Sequence, residues 1–93
     1  MPGNADPPDD AYAQARICFE IIAVALAEAG ASLSDVVRSR MFLTSAGDID
    51  AVARAHLEAL GAAAPASTAV VTALLDPRWR IEIEVEALAP EPS

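Results

Sequence analysis

The run Trp79-Arg80-Ile81-Glu82-Ile83-Glu84-Val85-Glu86-Ala87-Leu88 changes polarity at nearly every step. Successive side chains of a strand point to opposite faces, so Trp79, Ile81, Ile83, Val85 and Ala87 share one side and Arg80, Glu82, Glu84 and Glu86 the other. A slip of one residue would turn every apolar side chain to the charged face, so the pattern also fixes the register. The segment predicts a strand, Trp79 to Leu88, with one face covered and one charged.

Working backwards, Asp76-Pro77-Arg78 reads as a turn. The Val- and Thr-rich run from Ser67 to Leu75 reads as a second strand, entered after Pro65, which disfavours a helical conformation at Ala64. Before it, Ile49, Val52, Ala53, His56, Leu57 and Leu60 recur at helical spacing, from a cap at Asp48 to a stop at Gly61. Asp35 to Thr44 is rich in β-branched and large apolar residues and predicts the first strand. Ahead of that, Tyr12, Ala15, Phe19, Ile22, Ala23 and Leu26 make a helical stripe between a cap at Asp9 or Asp10 and a stop at Gly30. The order helix, strand, helix, strand, strand predicts an α+β fold, a mixed sheet with two helices packed on one face. The prolines near the ends mark residues 1–8 and 90–93 as tails around a single domain, 9–89.

Composition narrows the function. The 93 residues carry a formal net charge of −8, with six Arg and no Lys. That excludes Lys Schiff-base chemistry and a phosphate-binding loop built on Lys, and it argues against nucleic acid or an anionic membrane as partner. One Cys and one His exclude a disulfide and a Cys- or His-rich metal site within one chain, and no cofactor is expected. The chain is 54% hydrophobic yet only 4% aromatic, and so short a domain buries a limited share of its surface. Contact with further copies of the chain is therefore expected. The first residues lack the pattern of a signal peptide, which makes the cytoplasm the default expectation.

Five segments in order, Glu28-Ala29-Gly30-Ala31-Ser32-Leu33-Ser34-Asp35-Val36-Val37-Arg38, Met41-Phe42-Leu43-Thr44, Ala55-His56, Pro65-Ala66-Ser67-Thr68 and Ile81-Glu82-Ile83-Glu84-Val85-Glu86-Ala87, resemble the reactive-intermediate deaminase (RidA-like, YjgF) family. The likeness covers about residues 9 to 88. It implies a chorismate-mutase-like fold and a homotrimer with clefts between subunits. It also implies hydrolysis of enamines and imines to 2-oxo acids and ammonia, with a carboxylate-bearing metabolite as ligand. By the same resemblance Glu82 falls where a glutamate positions the attacking water. The position of the family's carboxylate-clamping Arg is held by Ser67, and a hydroxyl cannot reproduce a two-pronged guanidinium contact. The family's longer segment ahead of the first helix is represented here by Met1 to Pro8 alone.

The candidate site is thus Glu82 for water positioning, with Ser67, Thr68 and Arg40 for substrate binding. Each has a plainer alternative. Glu82 or Glu84 can pair with Arg38 or Arg40 across strands, and the hydroxyls of Ser67 and Thr68 can satisfy backbone at a strand start. A non-enzymatic ligand-binding or oligomer-forming module of the same fold is the other reading. A Ser-His-acid arrangement would have to recruit His56 from the helical stripe, where packing with one ring nitrogen bonded is the simpler expectation. Cys18 beside Phe19 reads as an inert apolar filler, and Trp79 as core.

Overall fold

A computed structural model describes residues 6–90; Met1 to Ala5 of the expected N-terminal tail, and residues 91–93 of the C-terminal one, lie outside them. The order of elements is α1 (Ala11–Glu28), β1 (Val36–Leu43), α2 (Ile49–Leu60), β2 (Ala66–Val71) and β3 (Ile81–Ala87), the order expected from the sequence. The strands form one sheet with β1 in the middle, β2 parallel to it and β3 antiparallel. The class is α+β, with a mixed sheet.

Local chemistry sets the helix ends. Asp10 caps α1, its Oδ2 accepting the Ala13 N–H at 3.0 Å, a contact generally worth about 1 kcal/mol. At the other end Gly30 takes φ +80°. There its N–H reaches the Ala27 carbonyl at 3.1 Å while Ala31 reaches that of Leu26 at 2.8 Å, the paired closure that a left-handed residue permits. Gly61 behaves differently from the expected stop. It keeps a right-handed φ of −56°, and the left-handed position falls on Ala64, φ 47°, just before Pro65. Asp48 stands at the N-cap of α2 without a side-chain cap bond, because Arg80 holds its carboxylate.

Leu43, Ile81, Val52 and Leu60 are at most 1% exposed, and each such aliphatic side chain contributes roughly 2 kcal/mol through burial. Ser39, Met41 and Leu43 of β1 are buried with them, against Phe19, Cys18 and Ala15 of α1 and Val52 and Ala55 of α2. Trp79 is core, 6% exposed, but precedes β3 instead of opening it. Its N–H closes a turn onto the Asp76 carbonyl at 3.1 Å.

Two further expectations change. The second strand ends at Val71 rather than Leu75, which is fully exposed: the chain leaves β1 once Thr72 has bonded the Leu43 carbonyl. In α2 the buried positions are Val52, Ala55 and Leu60, while Ile49 and Leu57 of the apolar stripe are 39% and 69% exposed. The helix carries a wider apolar face than its contact with the sheet and α1 can cover.

Gln14 joins α1 to the start of β3. Fully buried, it donates through Nε2 to the carbonyls of Pro8 and Arg78 at 2.7 and 3.0 Å and accepts the Arg80 N–H at 2.6 Å. Three backbone groups are satisfied at once, and each left unpaired in the interior would cost about 1–3 kcal/mol.

Candidate functional site

The two faces of the sheet have different chemistry. On the face away from the helices, the register sets Arg38 opposite Glu86, Arg40 opposite Glu84 and Phe42 opposite Glu82. Arg40 bonds Glu84 through Nε and Glu86 through Nη2, the latter at 3.1 Å. The cross-strand pairing of Arg40 with Glu84 was one of the arrangements open from sequence. Pairing with two glutamates raises the pKa of the Arg40 guanidinium, through the Glu84 hydrogen bond first. Glu82 is exposed and makes no ion pair among the described residues. Thr68 lies opposite Arg40 on the neighbouring parallel strand, so Glu82, Arg40 and Thr68 share this face.

Ser67 does not join them. It is registered with Ser39, whose side chain is buried on the helix side. There its Oγ lies 2.7 Å from Ser39 Oγ, 3.1 Å from His56 Nε2 and 3.3 Å from the Pro65 carbonyl. Ser39 Oγ is itself 2.8 Å from His56 Nε2. Within one chain the four expected site residues are therefore divided by the sheet, three on one face and Ser67 on the other.

His56 is packed as the sequence suggested, its ring edge-on to Phe19 with centroids 6.0 Å apart and one nitrogen bonded. Burial lowers its pKa from the ordinary 6.5, since a cation loses solvation there. No carboxylate bonds the ring among the described residues. Cys18 is 3% exposed and burial pushes its thiol up to about 11, which keeps it protonated and inert at neutral pH. The described residues contain no group of three acids, His or Cys able to hold a metal, and no helix is long and apolar enough to cross a membrane.

Ser39 escaped the sequence reading of the site. The available signal was a hydroxyl on the β1 face otherwise carrying Met41 and Leu43. The Arg80–Asp48 pair was equally hidden, because Asp48 reads locally as a helix cap.

A family model described as Endoribonuclease L-PSP matches residues 2–89. The chain is 38% identical over 86 residues to the uncharacterized protein SCO2049 of Streptomyces coelicolor, covering 91% of this chain and 61% of that protein. It therefore spans less than two thirds of the length of that curated relative. Among solved structures, Rv2704 of Mycobacterium tuberculosis, described as a member of the YjgF/YER057c/UK114 family, superposes with a TM-score of 0.82. It shares 41% identity, over 86% of this chain and 69% of that one. NMB1025 of Neisseria meningitidis, a YjgF family protein, gives a TM-score of 0.87 at 24% identity, over 91% and 72% of the two chains, a likeness of fold.

Proposed function

The chain belongs to the endoribonuclease L-PSP family, also called YjgF/YER057c/UK114, and on that premise we propose that it is a homo-oligomeric binder of small metabolites with enamine or imine hydrolase activity. The observation that carries this reading is the division of labour among three glutamates. Arg40 neutralises Glu84 and Glu86, which leaves Glu82 exposed and without an ion pair among the described residues. A carboxylate so placed accepts a hydrogen bond from water and directs its oxygen at an electrophilic carbon. In the hydrolysis, water oxygen adds to the imine carbon, its proton moves to nitrogen, and the carbon–nitrogen bond then breaks to give a 2-oxo acid and ammonia.

A trimer with metabolite clefts between subunits agrees with the surface. Every residue of β2 is exposed, Val70 and Val71 included, and so are Leu57 and Leu75. An open strand edge beside apolar side chains is the kind of surface that another copy covers.

The test is ammonia release from 2-aminoacrylate generated in solution, with the mass of the assembly measured in parallel by light scattering. Acceleration by the pure protein, lost in Glu82→Ala, supports the reading; no acceleration removes the activity, and a monomer removes the cleft. A second reading, a binding module without turnover, is favoured by Ser67, which is turned to the helix side and offers no guanidinium for a carboxylate. It predicts saturable heat on titrating small 2-oxo acids with no ammonia formed. Ribonuclease activity, which the family description suggests, is opposed by the net charge of −8 and the absence of Lys, since a polyanion needs cations to bind. RNA cleavage that persists through repurification would reverse that judgement.

A further inference from the structure

Glu82, Arg40 and Thr68 occupy the outer face of the sheet. On the helix side three polar atoms form a triangle, Ser67 Oγ to Ser39 Oγ at 2.7 Å, Ser39 Oγ to His56 Nε2 at 2.8 Å and Ser67 Oγ to His56 Nε2 at 3.1 Å. The two hydroxyls differ. Ser67 is exposed on β2, an edge strand, while Ser39 has no exposed surface. The third corner is an imidazole that burial keeps neutral near pH 7. The hydroxyl of an exposed residue, in contact with a neutral base and with a buried hydroxyl that also contacts that base, is an arrangement that draws a proton away from the exposed residue's oxygen.

We propose that Ser67 is a nucleophile, activated by His56 with Ser39 positioning the two, that accepts acyl groups from activated esters or thioesters. Ser67 Oγ attacks the acyl carbonyl carbon and forms the new carbon–oxygen bond. With the ring proton on Nδ1, the Ser67 proton passes to His56 Nε2, 3.1 Å away, while Ser39 Oγ, 2.7 and 2.8 Å from the two, holds them in place. Collapse of the tetrahedral adduct breaks the bond to the aryloxide or thiolate, which leaves with the proton returned from His56. Attack by water on acyl-Ser67 then releases the carboxylic acid and restores the hydroxyl.

Each group has a distinct part. Ser39, wholly buried, cannot meet an acyl donor itself and acts by position. The His56 ring faces Phe19 from α1, Ser39 from β1 and Ser67 from β2, and burial is the one influence on its titration among the described groups. Among the described residues no charged side chain competes for the proton. None of their carboxylates supports the ring either, so the base is weaker than one held by an acid, and the donor must carry a good leaving group. Because this cluster lies across the sheet from Glu82, the proposal does not depend on the hydrolase activity, and it requires only that a copy covering the β2 edge leave Ser67 open to the donor.

The full chain is incubated with p-nitrophenyl acetate and the acetyl group located by peptide mass spectrometry. The expected result is acetylation at Ser67, at least about tenfold slower in His56→Gln and Ser39→Ala, with other hydroxyls of the chain unaffected as internal references. In the unmodified protein the rate at Ser67 should rise with pH, reach half its plateau at the midpoint of the His56 titration and level off above it. That midpoint is read from the proton resonances of the only histidine in the chain. Absence of acetyl at Ser67, an equal rate in folded His56→Gln, or a pH midpoint unrelated to His56 overturns the proposal. If either variant fails to fold by circular dichroism, the pH profile of the unmodified protein decides alone.

Discussion

Arg80 grips Asp48 at two points, Nε to Oδ2 at 3.1 Å and Nη2 to Oδ1 at 2.9 Å, and so fastens the start of β3 to the turn that leads into α2. The Asp48 residue is 8% exposed, which makes this pair less screened than the other ion pairs among the described residues. A third contact, Nη1 to the Asp9 carbonyl at 2.8 Å, extends the tie to the front of α1. Removing one partner strands the other, so Asp48→Ala is expected to lower unfolding free energy by about 2 kcal/mol in urea titrations, and Asp48→Asn by less. Equal stability of Asp48→Ala and the parent would show that the pair is idle.

Arg40 serves the opposite face. Its pairs with Glu84 and Glu86 join side chains that are 37%, 54% and 60% exposed, and solvent weakens them accordingly. Arg40→Ala should therefore shift the urea midpoint only slightly, and less still at high salt. Its larger expected effect is on assembly, because Glu84 and Glu86 would then meet any covering subunit as unpaired negative charges. Light scattering that shows an unchanged mass for Arg40→Ala would place the subunit contacts elsewhere.

The His56 ring gives stability a dependence on mild acid. Burial lowers its folded pKa below the ordinary 6.5, so the unfolded chain takes up the proton first as pH falls. The contribution is complete above about pH 6.5 and is lost as pH falls through the folded pKa. His56→Gln removes this component, and the difference between the two urea midpoints should narrow from pH 7 to pH 5. A constant difference over that range would mean that protonation of the ring is tolerated in place.

Cys18 acts at the other end of the scale. Its thiol is raised by burial, and secondarily by Glu82, to about 11 against an ordinary 9.0. The unfolded chain ionises first as pH rises, so stability holds below pH 9 and declines between about 9 and 11. Cys18→Ala should lose the side chain's packing at every pH but show a smaller further decline from pH 8 to pH 10.5. The intact protein should also resist alkylation at pH 8 until urea unfolds it. Rapid modification without denaturant would contradict the buried position.

Much of the fold was legible because its determinants are local. The two-residue alternation from Ile81 to Glu86 fixed both the strand and its buried face, and Asp10 and Gly30 bounded α1 through chemistry contained within a few residues. Where a residue had two plausible partners, the local reading took the nearer one. Asp48 sits where a cap belongs, yet its carboxylate finds Arg80, 32 positions away. Gly61 looks like the left-handed stop, and Ala64 takes that conformation because the chain must turn immediately before Pro65.

The site was legible only as a set of residue types. Family likeness picked out Glu82 and Ser67, a neighbouring hydroxyl added Thr68, and alternation alone put Arg40 on the outer face. The registration of Ser67 with Ser39 depends on how β2 lies beside β1, two strands that are parallel and hence separated by a whole crossover through α2. That crossover also delivers His56 to the same hydroxyls. The amino-acid sequence by itself determined the elements, their order and the charge of each sheet face, since these follow from spacing and capping along the chain. Only the tertiary structure decided which polar groups meet, because the Ser67–Ser39–His56 cluster is made of contacts 11, 17 and 28 residues apart that exist when the sheet register closes and not before.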